Sequence, residues 1–204
     1  MKTFVIALRA TLVTLVLTGI LYPLGMTGLA QVLFPTAANG SLARDESGKV
    51  VGSRLLGQTF TNPAYFQARP SAAGNGYDPL ASGGSNFGPT SAKLQDRGKA
   101  DIARLRKENP EATGDIPAEL VAASGSGLDP HISPGAARWQ VARVARARGV
   151  AAARVTTTLE ATINGRDLGF LGEPTVNVLD LNLALDRQFG RPEAITAHPT
   201  TLAN

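Results

Sequence analysis

The sequence contains no cysteine and only two histidines, His131 and His198. A disulfide framework, a thiolate metal or iron–sulfur site and a thiol nucleophile are therefore excluded, and two distant histidines do not make a His-rich metal site. Aromatic residues are scarce, at 5%. No Gly-x-x-x-x-Gly-Lys phosphate loop occurs. Neither an Asp-Lys-Thr-Gly phosphorylation motif nor a Thr-Val-Gly-Tyr-Gly filter is present, so the chain alone is neither a phosphorylated pump nor a potassium filter. The most telling absence is local. From Ala10 to Ala43 there is no ionisable side chain except Tyr22.

What fills that gap is apolar. The stretch from Phe4 to about Leu29 exceeds the ~20 residues that a spanning helix needs. Its threonines can return their hydroxyls to carbonyls one turn back, and Pro23 is expected to bend the helix without ending it. Two readings fit. One is an uncleaved anchor, supported by further apolar residues at Val32, Leu33 and Phe34. The other is a cleaved signal peptide, with Lys2 and Arg9 as its basic region and Gly28-Leu29-Ala30 as its small-residue site. Both keep the positive charges in the cytoplasm and put the remainder on the other side.

The rest of the 204 residues reads as one mixed α/β domain of short strands and several helices. Lys49–Gln58 suggests short strands broken by glycine. Arg69–Ser91 is dense in Pro, Gly, Ser and Asn, which predicts a long loop. A helix capped by Thr90 or Ser91 follows, with Leu94, Ile102 and Leu105 near one face and Asn109-Pro110 as its stop. Leu120-Val121 is a short apolar piece. Ser133 with Pro134 behind it starts a helix that runs to Arg148 and stops at Gly149. Its apolar stripe is Ala137, Val141, Val144 and Ala145. A second helix covers about 151–163, with Val155, Leu159 and Ile163 in register. Thr175–Val178 reads as a strand, and Asp180 as the cap of a last helix through Phe189, with Leu183 on its core side. The expected division is 1–34 for the N-terminus and transmembrane helix, 35–190 for an extracytoplasmic domain, and 191–204 for a frayed tail.

Five arginines, Arg138, Arg143, Arg146, Arg148 and Arg154, lie between Asp129 and Glu160 without an acid among them. A helix-turn-helix reading fails because the second helix carries only Arg154 and no Asn, Gln or Lys. The arginines are expected to form a solvated face, or else a basic docking surface. Leu80–Ser85 is loosely like the Leu-Ser-Gly-Gly-Gln signature of ATP-binding cassettes, which makes Ser82, Gly83, Gly84, Ser85 and Asn86 the candidate nucleotide contact. His131, after Asp129-Pro130, is expected to make a loop hydrogen bond, and no catalytic residue or metal ligand is assigned.

Several segments together carry a resemblance. They are Gly57-Gln58-Thr59-Phe60, Tyr65–Ala72, Tyr77-Asp78-Pro79, Ala81–Asn86 and Gly88-Pro89-Thr90. The run Pro117–Val121 and then Ala123–Pro134 follows, with Trp139-Gln140 and Arg143-Val144-Ala145 after it. Gly172-Glu173-Pro174, Val176-Asn177-Val178 and Leu181–Asp186 complete the set. In this order, behind one N-terminal span, they resemble the C subunit of the Kdp potassium-transporting ATPase over about residues 5–189. The resemblance implies an uncleaved, single-span, non-catalytic subunit of a bacterial inner-membrane complex, with its N-terminus cytoplasmic and its domain outside. Its implied partners are a channel-like potassium-binding subunit, an ATP-hydrolysing P-type subunit and a small stabilising subunit. No covalent cofactor is implied. ATP is expected only with the catalytic subunit, whose ATP binding this family is described as assisting as a catalytic chaperone. Interface residues expected on this basis are Leu12, Leu15, Gly19, Tyr22 and Pro23 in the span. In the loop they are Ser124, Gly125, Ser126, Gly127, Asp129 and His131. Without the resemblance, the residues leave open a secreted enzyme or binding protein released after Ala30.

Overall fold

The structure, a computed structural model, describes residues 1–192. The expected tail, 191–204, therefore lies outside the described residues beyond Pro192. The chain divides into two units, the first ending at Leu42 and the second starting at Ala43.

The first unit contains a continuous apolar helix over Lys2–Leu33 with no buried residue. It consists of α1 (Lys2–Val16), a π-helical turn (Leu17–Leu21) and α2 (Tyr22–Leu33). The wider turn sits immediately before Pro23, where a proline ring lacks an N–H and crowds the carbonyl one turn back. Pro23 does not end the helix: the π-turn has helical backbone angles on both sides. Thr14 and Thr18 donate their hydroxyls to the carbonyls of Ala10 and Thr14, both at 2.8 Å, so neither leaves an unpaired donor in an apolar helix. A short helix, α3 (Pro35–Ala38), follows.

The second unit joins short strands to four helices, the mixed α/β class expected. A two-stranded sheet pairs β1 (Leu42–Arg44) with β2 (Val50–Ser53). A three-stranded antiparallel sheet has the order β3-β5-β4, with β3 His131–Ile132, β4 Ile163–Asn164 and β5 Thr175–Asn177. The helices are α4 (Ala92–Glu108), α5 (Pro134–Arg148), α6 (Ala152–Ala161) and α7 (Val178–Phe189). Ser133 caps α5 by accepting the amide of Ala136, and Gly149 ends it with φ 64. The stripe Ala137, Val141, Val144 and Ala145 is buried as expected, with Val155, Leu159, Val176, Leu181 and Leu185 opposite.

Four local expectations are corrected. The helix expected over 151–163 stops at Ala161, and Ile163 pairs with Val176 in β4. A β-branched residue flanked by Asn164-Gly165 suits a strand entering a turn better than a helix end. Asn177, three residues ahead of Asp180, caps α7 through its side-chain oxygen, and Val178 is already helical. Ser91 occupies the cap position of α4 without a side-chain cap bond, and Ile102 is 46% exposed on that helix. Finally, the arginines of α5 are not one solvated face. Arg143 is buried, and the Arg148 side chain is only 2% exposed.

Those two arginines explain how a segment without secondary structure becomes core. Residues 62–69 have no helix or strand to pair their backbone, so their polar groups need side-chain partners. Arg143 donates to the carbonyls of Pro63 (2.6 Å) and Tyr65 (2.9 Å), to Asn109 Oδ1 (2.9 Å) and to Gln140 Oε1 (2.6 Å). Gln140 in turn accepts the amide of Gln67 at 2.9 Å and donates to its carbonyl at 3.0 Å. Asn182 does the same for Phe66, at 2.8 and 3.0 Å. Arg148 holds the Ala64 carbonyl at 2.7 Å and Asp186 at 2.8 Å. Burial pushes the Arg143 guanidinium down to about 10, still charged at neutral pH. The remaining arginines are occupied at the surface: Arg138 with Glu160, Arg146 with Glu111, and Arg154 over the Phe189 ring.

Candidate functional site

The two loops singled out in the sequence, Ser82–Asn86 and Ser124–His131, come together as one layer. Ser126 is the meeting point. Its carbonyl accepts the amide of Gly83 at 2.8 Å and the Ser82 hydroxyl at 3.0 Å. One layer deeper, Ser71 donates to the Gly127 carbonyl at 2.6 Å and accepts the amides of Ala73 (3.1 Å) and Tyr77 (2.7 Å). One hydroxyl thus uses its donor and both lone pairs. The Ser124 amide reaches the Pro70 carbonyl at 3.4 Å, and Gly57 donates to the Leu128 carbonyl at 2.8 Å.

Glycine is required here because backbones touch. Gly127 has φ 68, and a Cβ on it would lie 2.7 Å from the Cβ and N of Ala73 and 2.8 Å from the Gly83 carbonyl. A Cβ on Gly57 would meet the Asp129 carbonyl and the Tyr77 ring, each at 2.7 Å. The stretch read as Gly/Ser-rich loop is therefore an ordered pad in which Gly57 and Gly127 are set by close approach, while a Cβ on Gly83 or Gly125 would meet nothing.

A charged rim closes the pad. Arg69 pairs with Asp129 at 3.2 Å and reaches toward the carbonyls of Ala122 and Ala123. Asp129 accepts the His131 amide at 3.0 Å, and the His131 ring nitrogen Nδ1 stands 3.7 Å from the same carboxylate oxygen. The expected loop hydrogen bond at His131 is thus made by its backbone. Tyr77 donates its hydroxyl to the Arg69 carbonyl. Burial, then the Asp129 charge, pushes the Tyr77 phenol up to about 12. Arg69, Ser71 and Tyr77 were not singled out from the sequence, although all three lie in or beside the resembling segments. Their signal was a hydroxyl and an arginine bordering a Gly/Pro run that has to be held by something.

The pad's polar groups are largely engaged with one another. No lysine or arginine occurs in residues 70–92, while the Gly83 amide and Ser82 hydroxyl already serve Ser126. Among the described residues no group of three or more His, Asp or Glu side chains is placed to hold a metal ion. The span residues Leu12, Leu15 and Tyr22 are 51%, 59% and 66% exposed. Gly19 lies within the π-turn and Pro23 just after it.

The described residues form one long apolar helix and a small α/β domain whose loops are stitched to each other. A family model described as "KdpC: K+-transporting ATPase, c chain" matches residues 4–187. The potassium-transporting ATPase KdpC subunit of Myxococcus xanthus is 64% identical over 189 residues, covering 93% of this chain and 90% of that protein. The KdpC subunit of Koribacter versatilis is 52% identical over 186 residues, 91% and 94% of the two chains. That of Rhodospirillum rubrum is 56% identical over 173 residues, 85% and 89%. The chain belongs to the KdpC family. It is an accessory subunit of the potassium-transporting ATPase and not the subunit that hydrolyses ATP.

Proposed function

We propose that the chain is a single-span scaffold of an ATP-driven potassium importer. Lys2–Leu33 stays as an uncleaved anchor in the bacterial inner membrane, with its span against the channel-like potassium-binding subunit. Lys2 and Arg9 remain cytoplasmic and the domain from residue 35 to 190 faces outward, near the ion entrance. The P-type ATP-hydrolysing subunit and the small stabilising subunit complete the complex. The observation that carries the reading is a 32-residue apolar helix in which no residue is buried, in a chain of this family. Such a helix needs lipid and other helices around it.

The chaperone role in ATP binding is exerted on the catalytic subunit through the assembled complex. Two features support that reading over direct nucleotide contact: the engaged donors of Ser82 and Gly83, and the outward side to which the charge asymmetry assigns the Ser82–Asn86 loop. Single cysteines at Ser85 and Lys2, in a chain that otherwise has none, test the topology with a membrane-impermeant thiol reagent. Labelling of Ser85→Cys but not Lys2→Cys in intact spheroplasts is expected. Labelling of the reverse pattern, or transfer of label to Ser82–Asn86 from an azido-ATP analogue, contradicts the reading. Deletion of the chain is expected to abolish growth at limiting potassium while the other subunits are still made. Undiminished growth contradicts the scaffold role.

A further inference from the structure

The loop between β4 and β5 is the least expected surface of the domain. The two strands are antiparallel, with Ile163 opposite Val176 and Asn164 opposite Thr175, and Val176 is fully buried. The hairpin is therefore rooted in the core. Its neck is closed by an Arg166–Glu173 ion pair at 2.7 Å and by a reciprocal pair of backbone bonds between Asp167 and Leu171, both 2.9 Å. Beyond the neck, Leu168 is 82% exposed, Phe170 69% and Leu171 49%. Leu168 has φ 53, a left-handed conformation disfavoured for a bulky side chain, and the fold recovers no burial from it.

These outward apolar side chains, one on a left-handed residue, add nothing to the domain's core. We propose that the 166–173 hairpin is a knob that docks in an apolar cleft on another subunit of the same ATPase, with Phe170 and Leu168 as its anchors. This rests on the scaffold reading above. A protein cleft is favoured over lipid by the charges at the neck: Arg166 against Asp167 and Glu173 leaves no basic cluster to draw the tip to an anionic bilayer. An apolar centre ringed by an ion pair is also the usual anatomy of a protein interface, where one aromatic anchor carries much of the affinity.

The test uses the whole complex, with p-benzoylphenylalanine in place of Phe170 and, as reference, in place of exposed Lys99. Irradiation is expected to give an adduct between position 170 and another Kdp subunit, several-fold above position 99. An adduct with lipid only, with a second copy of this chain only, or no excess over position 99 overturns the knob. Phe170→Ser is expected to weaken retention of the chain in the purified complex by about tenfold or more. Leu168→Gly separates docking from folding. It removes the left-handed strain, so the melting temperature is expected to hold or rise while retention falls. Unchanged retention in both variants overturns the proposal. If the chain co-purifies normally yet position 170 gives no subunit adduct, the knob fails and the scaffold reading stands. If the unsubstituted chain does not co-purify at all, both fail.

Discussion

The hydroxyl of Ser71 donates to the carbonyl of Gly127 at 2.6 Å, across a sequence separation of 56 residues. With the Ser124–Pro70 and Gly83–Ser126 backbone bonds, it fixes the register between two loops that have almost no secondary structure. Gly127 can accept it only because its left-handed backbone lets Ala73 and Gly83 lie against its Cα.

Gly127→Ala should therefore cost about 2–4 kcal/mol, the sum of a left-handed alanine and an overpacked contact with backbone atoms. Thermal unfolding of the detergent-solubilised chain measures this. Gly125→Ala is the comparison, because a Cβ there meets nothing within 4 Å. The second variant should unfold within about 0.5 kcal/mol of the original.

Arg143→Met should destabilise the domain by about 3 kcal/mol or more, since it strands the Pro63 and Tyr65 carbonyls and the Asn109 and Gln140 side chains in the interior. Arg143→Lys should recover little, because an ammonium cannot reproduce a planar fork that meets four acceptors. Denaturant midpoints for the two variants check this. Near-equal losses are expected.

Alkali should loosen the domain over a defined window. Tyr65 and Tyr77 are each pushed up to about 12, in both cases by burial first, then by Asp186 for Tyr65 and by Asp129 for Tyr77. In the unfolded chain both ionise near 10, so the stability they contribute is whole below pH ~10 and is lost as pH rises from there through about 12. Tyr65→Phe and Tyr77→Phe together should flatten the fall in melting temperature across that window. A fall of unchanged steepness would tie it to other groups.

The N-terminus is open to direct measurement. Intact mass of the membrane-extracted chain should include residues 1–30. A mass corresponding to a start after Ala30 would identify a processed, released protein.

How far the residues alone announced this molecule varies by element. Helix α5 was legible because three independent signals coincide: a serine cap, a proline behind it and a glycine stop. The apolar span was legible because one run without charge suffices. The strands were weaker. β3 and β4 have two residues each, too short for alternation to register, so by sequence Ile163 resembles the end of a helix. Asn177 lost to Asp180 because both are capping residues and only geometry shows which one precedes the first turn. The arginines misled for a different reason. Arg143 looks like its neighbours in sequence, and only the bare backbone of residues 62–69, brought to it from far along the chain, gives it a buried role. The candidate loops are marked by their glycines, but their mutual contact depends on pairing between distant segments. The apolar tip Leu168-Gly169-Phe170-Leu171 was visible as letters, yet its exposure was not.

Purification of the assembled ATPase with and without this chain tests the scaffold account most directly. With the chain present, the other subunits should co-purify as one species with potassium-stimulated ATP hydrolysis. Without it, that species and its stimulated activity should be lost. Full assembly and undiminished stimulation in its absence would contradict the account.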